Sequence, residues 1–219
     1  MHSLSIVLPT HGRPTLLDRT LASIARCELP ASYEELIVIE NGSHAGAKGL
    51  VAGLPQRLNA QYMYEERANK SHALNQALET IDTGLVVFFD DDIRVAPNVL
   101  MEYDRAARNA KEGAYFGGPW DVRYETPPDD WIYPLLPPST RSSKAPDEFS
   151  WFIGYNWAAF AADLRALGGF NPQYGPGSPL NATGQETEMQ ARMRQAGLKA
   201  RPVPEACVTH HVPERMTTP

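Results

Sequence analysis

The chain predicts an α/β fold built on a mainly parallel sheet, and three observations carry that reading. Residues 4–8, 36–39 and 85–89 are continuous apolar runs of strand length, the pattern of strands buried on both faces. The segments between them repeat apolar residues at helical spacing. Each run also stops at residues that break or turn the chain: Pro9, Asn41-Gly42 and Asp90.

In order, residues 15–26 follow the first run, with Leu16, Leu17, Leu21, Ile24 and Ala25 on one helical face. A short strand is expected over 61–64, a helix over 71–80 and another over 99–111. Residues 124–146 are proline-rich and read as a long irregular loop, with Trp131 inside it and Trp151 and Trp157 soon after. A strand is expected over 155–161, then a short helix, a Gly/Pro-rich loop over 174–184 and a last helix over 185–196. The expected organisation is one domain over 1–219, with a donor-binding half (1–112) and an acceptor and catalytic half (113–219). In parallel sheets ligands bind beyond the carboxyl ends of the strands. That rule puts Pro9-Thr10-His11-Gly12-Arg13, Glu40-Asn41 and Asp90-Asp91-Asp92 along one edge.

The chain has 219 residues, 42% hydrophobic and 21% charged, enough for one well-buried domain. Its net charge of -6 and pI near 5.5 argue against a nucleic-acid partner. A phosphate ligand then needs local help from a cation, a helix N-terminus or a few placed bases. Two cysteines do not make a disulfide scaffold and point to a reducing compartment. No leader-like segment opens the chain and no apolar run has membrane-spanning length. The expected location is cytoplasmic, with peripheral contact at the inner membrane face left open.

Asp90-Asp91-Asp92 is the sharpest chemical signal. Three adjacent carboxylates raise each other's pKa, and a divalent cation relieves the repulsion. Mn²⁺ or Mg²⁺ is expected, because both favour oxygen ligands and share them with substrate phosphates. Alternation along an extended chain puts Asp90 and Asp92 on one side. Taken alone, the triplet reads equally well as a solvated acidic strand end.

The triplet is one of an ordered set. Val7-Leu8-Pro9-Thr10-His11-Gly12-Arg13, Val38-Ile39-Glu40-Asn41-Gly42-Ser43, Asn69-Lys70-Ser71-His72-Ala73-Leu74-Asn75 and Phe88-Phe89-Asp90-Asp91-Asp92 resemble family 2 glycosyltransferases. Gly154-Tyr155-Asn156-Trp157-Ala158, Gly168-Gly169-Phe170-Asn171 and Gly184-Gln185-Glu186 continue the resemblance over nearly the whole chain. It implies a GT-A fold, a Rossmann-like sheet merged with a loop-rich acceptor region. It implies nucleotide-sugar contacts at Pro9, Thr10, Arg13, Glu40, Lys70, Asn75, Asp90 and Asp91, with metal ligation by Asp92 and by His210 or, less well spaced, His211. Acceptor contacts are expected at Asn156 and Trp157. The implied reaction moves a sugar from a nucleoside-diphosphate donor, UDP by default, to a hydroxyl on a glycan or lipid-linked acceptor in polysaccharide synthesis.

Glu186 is the implied general base, taking the proton from the acceptor hydroxyl as it attacks the sugar. The sequence departs from the usual pattern here, with Gln185-Glu186 in place of Glu-Asp and Glu40-Asn41 in place of two aspartates. Thr183-Gly184-Gln185-Glu186 also reads as a helix capping box, which would make Glu186 structural. A sugar nucleotidyltransferase is a rival, although Thr10-His11-Gly12-Arg13 has one glycine where that class has a Gly-rich loop. A chain that binds nucleotide sugar without turnover is the non-enzymatic rival.

Overall fold

The computed structural model describes residues 2–217 except 111–112, 144–145, 148–149 and 180–181. Its centre is a seven-stranded sheet in the order β3-β2-β1-β4-β8-β6-β9. The strands are β1 (Leu4–Thr10), β2 (Tyr33–Asn41), β3 (Ala60–Glu65), β4 (Leu85–Phe88), β6 (Ala114–Gly117), β8 (Trp157–Phe160) and β9 (Lys199–Pro202). β1 pairs in parallel with β2 and β4, and β2 with β3. β8 runs antiparallel to both β4 and β6. The sheet therefore crosses the expected boundary near residue 112, with β6, β8 and β9 widening the sheet that β1–β4 begin.

Period-two alternation makes two cores, one on each face. Leu4, Ile6 and Leu8 of β1 join Leu85 and Val87 of β4 on one face, under α1 (Pro14–Ile24) and α4 (Val99–Asn109). Val7, Val86 and Phe88 face the other way, under α3 (Lys70–Thr80), α5 (Ala161–Ala166) and α6 (Gln185–Gln195). The helices start where local chemistry allows. Pro14 sits at the first position of α1, where no N–H is needed. The Asn69 side chain accepts from the His72 amide and caps α3. A short α2 (Ala47–Ala52) follows β2.

A second sheet of three strands lies beside the edge: β5 (Ile93–Val95), β10 (Val208–Val212) and β7 (Trp120–Tyr124), in the order β5-β10-β7. The sequence reading left all three unassigned. These strands are three to five residues long and half polar, so they lack the continuous apolar signal of the main sheet. The helix expected over 99–111 ends at Asn109, and residue 111 lies outside the described residues.

Candidate active site

Parallel pairing brings the carboxyl ends of β1, β2 and β4 to one edge. Thr10 pairs with Glu40, and Val7 with Phe88 just before the acidic triplet. The three aspartates meet three different environments. The Asp90 carboxylate accepts from Lys70 Nζ at 2.5 Å. Asp91 is wholly buried and accepts from Thr10 Oγ1 at 2.6 Å and from the Arg13 guanidinium. Asp92 accepts from the other arm of Arg13 through Oδ2 at 2.7 Å. Arg13 and Lys70 thus offset much of the repulsion that the sequence reading assigned to a cation alone. Burial still pushes the Asp91 carboxyl up to about 6, against the pull of Arg13.

Asp92 has one oxygen left. Its Oδ1 is buried and without a hydrogen-bond partner, which marks an unfilled requirement in a native site. His210 Nε2 stands 3.7 Å from it. The other ring nitrogen, Nδ1, lies 2.9 Å from the Ser139 carbonyl. A carbonyl only accepts, so Nδ1 carries a proton and Nε2 is the nitrogen turned toward Asp92. Tyr155 stacks on the imidazole at 4.7 Å and donates to the same carbonyl at 2.7 Å. The Asp92 oxygen and the His210 nitrogen face each other across 3.7 Å, an oxygen and nitrogen pair that suits a divalent cation. Burial disfavours the Asp92 charge, but His210 and Arg13 hold its pKa down to about 2. Among the described residues no three His, Cys, Asp or Glu side chains form a cage. Asp92 and His210 would be the two protein ligands of such a cation, sharing it with substrate oxygens.

Glu186 lies on the opposite bank. α6 begins at Gly184, whose φ of 91° no threonine would take comfortably, and no side chain caps it. The capping box is thereby corrected: Thr183 precedes the cap, and Glu186 is the second helical residue. Its own amide and that of Gly154 lie close enough to favour its ionised form. A Cβ on Gly154 would sit 3.0 Å from Glu186 Cδ, so a side chain there would crowd the carboxylate. Gln190, one turn along α6, pins Phe152 through both its N–H and its C=O at 2.9 and 2.8 Å. That clamp holds the Gly154 segment against Glu186. Burial raises the Glu186 pKa above the ordinary carboxylate value, against the pull of nearby Lys70. Lys70, charged and enclosed, sits between Asp90 and Glu186 in this field.

A cleft of about 260 Å³ opens beside these groups, lined by Pro9, Thr10, Arg13, Lys70 and Asp90. Pro176 and Gly177 close one side of it. This wall is fastened to the start of α3. The Lys70 amide donates to Pro176 O, Asn69 Nδ2 to Pro172 O, and Ser71 Oγ to Tyr174 O. Gly177 has φ 80°, and a Cβ there would lie 1.7 Å from Ala68 O, so the wall closes only around glycine.

Five expected contacts are placed elsewhere. Glu40 is 2% exposed, with Oε1 on the Ala45 and Ala47 amides and Oε2 on Tyr62 Oη. It holds the turn after β2 instead of reaching toward a base. Asn75 grips both the N–H and the C=O of Phe170 and ties α3 to that turn. Asn156 is fully buried, donates to Pro119 O and Ala206 O, and accepts from Tyr103 Oη. Trp157 is 1% exposed and stacks on Phe88 at 4.8 Å. Asp91 is buried behind Thr10 and Arg13. All five brace the site, four of them buried and Asn75 partly so. Pro9, Thr10, Arg13, Lys70, Asp90, Asp92, Glu186 and His210 do gather around the cleft and its metal corner. Sequence reasoning missed Gly154, Ser139, Tyr155 and the Pro176-Gly177 wall. The only signals were the Gly154-Tyr155 pair beside the residues singled out and the Gly/Pro content of the last loop.

The glycosyl transferase family 2 description matches residues 5–167. Validoxylamine A glucosyltransferases from two subspecies of Streptomyces hygroscopicus are each 24% identical over 89% of this chain. The chain spans about half the length of these curated relatives, 52% and 48%. Among solved structures, a mannosyltransferase from Pyrobaculum calidifontis in complex with GDP-Man and Mn²⁺ is similar, at TM-score 0.70 and 23% identity. That match covers 99% of this chain and 59% of the other. S. aureus TarS 1-349 in complex with UDP-GlcNAc is similar at TM-score 0.69 and 14% identity, covering 96% and 58%. With the family spanning three-quarters of the sequence and the fold matched end to end, the chain belongs to glycosyl transferase family 2 and has the GT-A fold.

Proposed function

We propose that the protein transfers a sugar from a nucleoside-diphosphate sugar, with UDP as the nucleotide, to a hydroxyl acceptor, with inversion and with Mn²⁺ or Mg²⁺. The observation that carries the proposal is the opposite treatment of two carboxylates. Asp92 is kept ionised beside the His210 imidazole and Arg13, while burial raises the Glu186 carboxyl above its ordinary value. Carboxylates whose environments drive their pKa values apart mark division of labour between charge stabilisation and proton transfer. Asp92 and His210 would hold the cation, which when bound offsets charge on the departing diphosphate. Glu186 takes the acceptor proton as the acceptor oxygen bonds to C1 and the C1–O bond to the diphosphate breaks. A single displacement of this kind inverts the anomeric carbon. Lys70 stays charged between Asp90 and Glu186, beside the cleft that would take the diphosphate.

With Trp157 in the core, acceptor stacking passes to Trp131 and Trp151, which are 62% and 46% exposed. Arg194 lies over the Trp151 ring at 4.0 Å and steadies it. The acceptor is a glycan or a lipid-linked sugar. Among the described residues no helix is long and apolar enough to cross a membrane. The test is calorimetric titration with UDP and Mn²⁺, followed by donor turnover. Asp92→Ala is expected to abolish metal-dependent UDP binding. If that variant binds UDP and Mn²⁺ like wild type, the proposal fails.

A further inference from the structure

The two neighbouring histidines of β10 face opposite ways. Val208, His210 and Val212 are buried, whereas Thr209 and His211 lie on the outer face of the three-stranded sheet. His210 turns inward to Asp92. His211 instead lines a concavity of about 360 Å³ together with Arg19, Arg94, Arg123, Thr209 and Glu125, with Asp92 at its border.

Strand register explains the grouping. Arg94 of β5 stands opposite Thr209, and Arg123 of β7 opposite His211. Arg19 comes across from α1, close enough to His211 to lower its pKa alongside the larger effect of burial. Three arginines from three separate elements thus converge on one hollow. Among the described residues none of the three makes an ion pair, although the chain as a whole is acidic. The acids at the hollow are already engaged. Asp92 accepts from Arg13 through Oδ2, and Glu125 accepts from the Glu214 amide at 3.1 Å.

We propose that this hollow is a second anion site that binds a phosphoryl group, set back to back with the Asp92–His210 corner and separated from it by β10. Guanidinium forks with a nearby hydroxyl suit the oxygens of a phosphate better than a point cation does. The site is distinct from the donor cleft, which lies among Thr10, Arg13, Lys70 and Asp90. The proposal rests on this geometry and holds whichever sugar donor the protein uses. The phosphoryl group belongs either to a phosphorylated acceptor or to free phosphate.

Titration with inorganic phosphate tests it, at constant ionic strength and with UDP and Mg²⁺ saturating so that the donor cleft is filled. Saturable binding of one phosphate is expected. Arg94→Ser combined with Arg123→Ser is expected to weaken it by about tenfold or more. The same double variant is expected to keep wild-type UDP affinity and circular dichroism, since both arginines are exposed. Glycerol 3-phosphate in place of phosphate separates the sources: tighter binding assigns the group to an acceptor, and weaker binding to the free ion. Absence of saturable phosphate binding, or binding unchanged in the double variant, overturns the proposal.

Discussion

Asp90-Asp91-Asp92 and Gly154-Tyr155-Asn156-Trp157 look equivalent as sequence, each a compact motif next to a buried strand. They also share one sheet edge, because Phe88 pairs with Trp157 across antiparallel β4 and β8. The chain leaves the sheet at the first motif and enters it at the second. Asp90 and Asp92, just beyond β4, therefore project to the cleft and its metal corner, with Asp91 buried between them. In the second motif only Gly154 and Tyr155 reach the chemistry, beside Glu186 and His210, whereas Asn156 and Trp157 already belong to the scaffold. Chain direction at the edge, more than residue type, decides which motif members meet a ligand.

Substitutions sharpen this contrast. Trp157→Ala is expected to destabilise the fold by about 4 kcal/mol in denaturant titration, the range for removing a buried tryptophan. A stable variant with weakened acceptor binding would instead return Trp157 to the site. Glu186→Gln is expected to lower kcat by about 10³-fold, close to the same energy, with melting temperature and UDP affinity nearly unchanged. A loss of stability without loss of rate would make Glu186 structural. Asn156→Ala takes a partner from Tyr103 Oη and leaves the Ala206 carbonyl without one, while Pro119 O keeps the Val208 amide; it is expected to cost about 3 kcal/mol of stability, with no change in KM for the acceptor. His210→Ala is expected to weaken Mn²⁺ binding by about tenfold, while His211→Ala leaves it unchanged.

The smallest effect is on pH dependence. Glu186 must be ionised to accept a proton, so kcat/KM falls as pH drops through its raised pKa. Lys70 pulls that pKa down. Lys70→Met is therefore expected to move the acid limb to higher pH, and a shift in the other direction would separate Lys70 from the base.

The main sheet was legible because both faces are apolar. β1, β2 and β4 each carry an apolar run, and Val7 and Leu8 serve opposite cores without breaking it. The strand-edge residues Thr10, Arg13 and Asp90 through Asp92 followed from the rule on carboxyl ends. Three things were not legible. The small sheet is too short and too polar to signal itself. The fate of Glu40 depends on a turn whose amides it satisfies, and sequence does not show how that turn folds. The Asn156 network joins Tyr103, Pro119 and Ala206, residues 37 to 53 positions away, and no local pattern announces such a meeting.

β10 acts as a partition wall, and its alternation has a consequence for how the protein tolerates change. Side chains along a strand switch faces at every residue, so a slip of one position would exchange their tasks. His211 would then meet Asp92, and His210 would join the arginines outside. The metal corner is therefore set by the length of the connection between β9 and β10 as much as by its ligands. Insertion or deletion of a single residue between Val203 and Cys207 would rewrite both faces at once while leaving every ligand in the sequence.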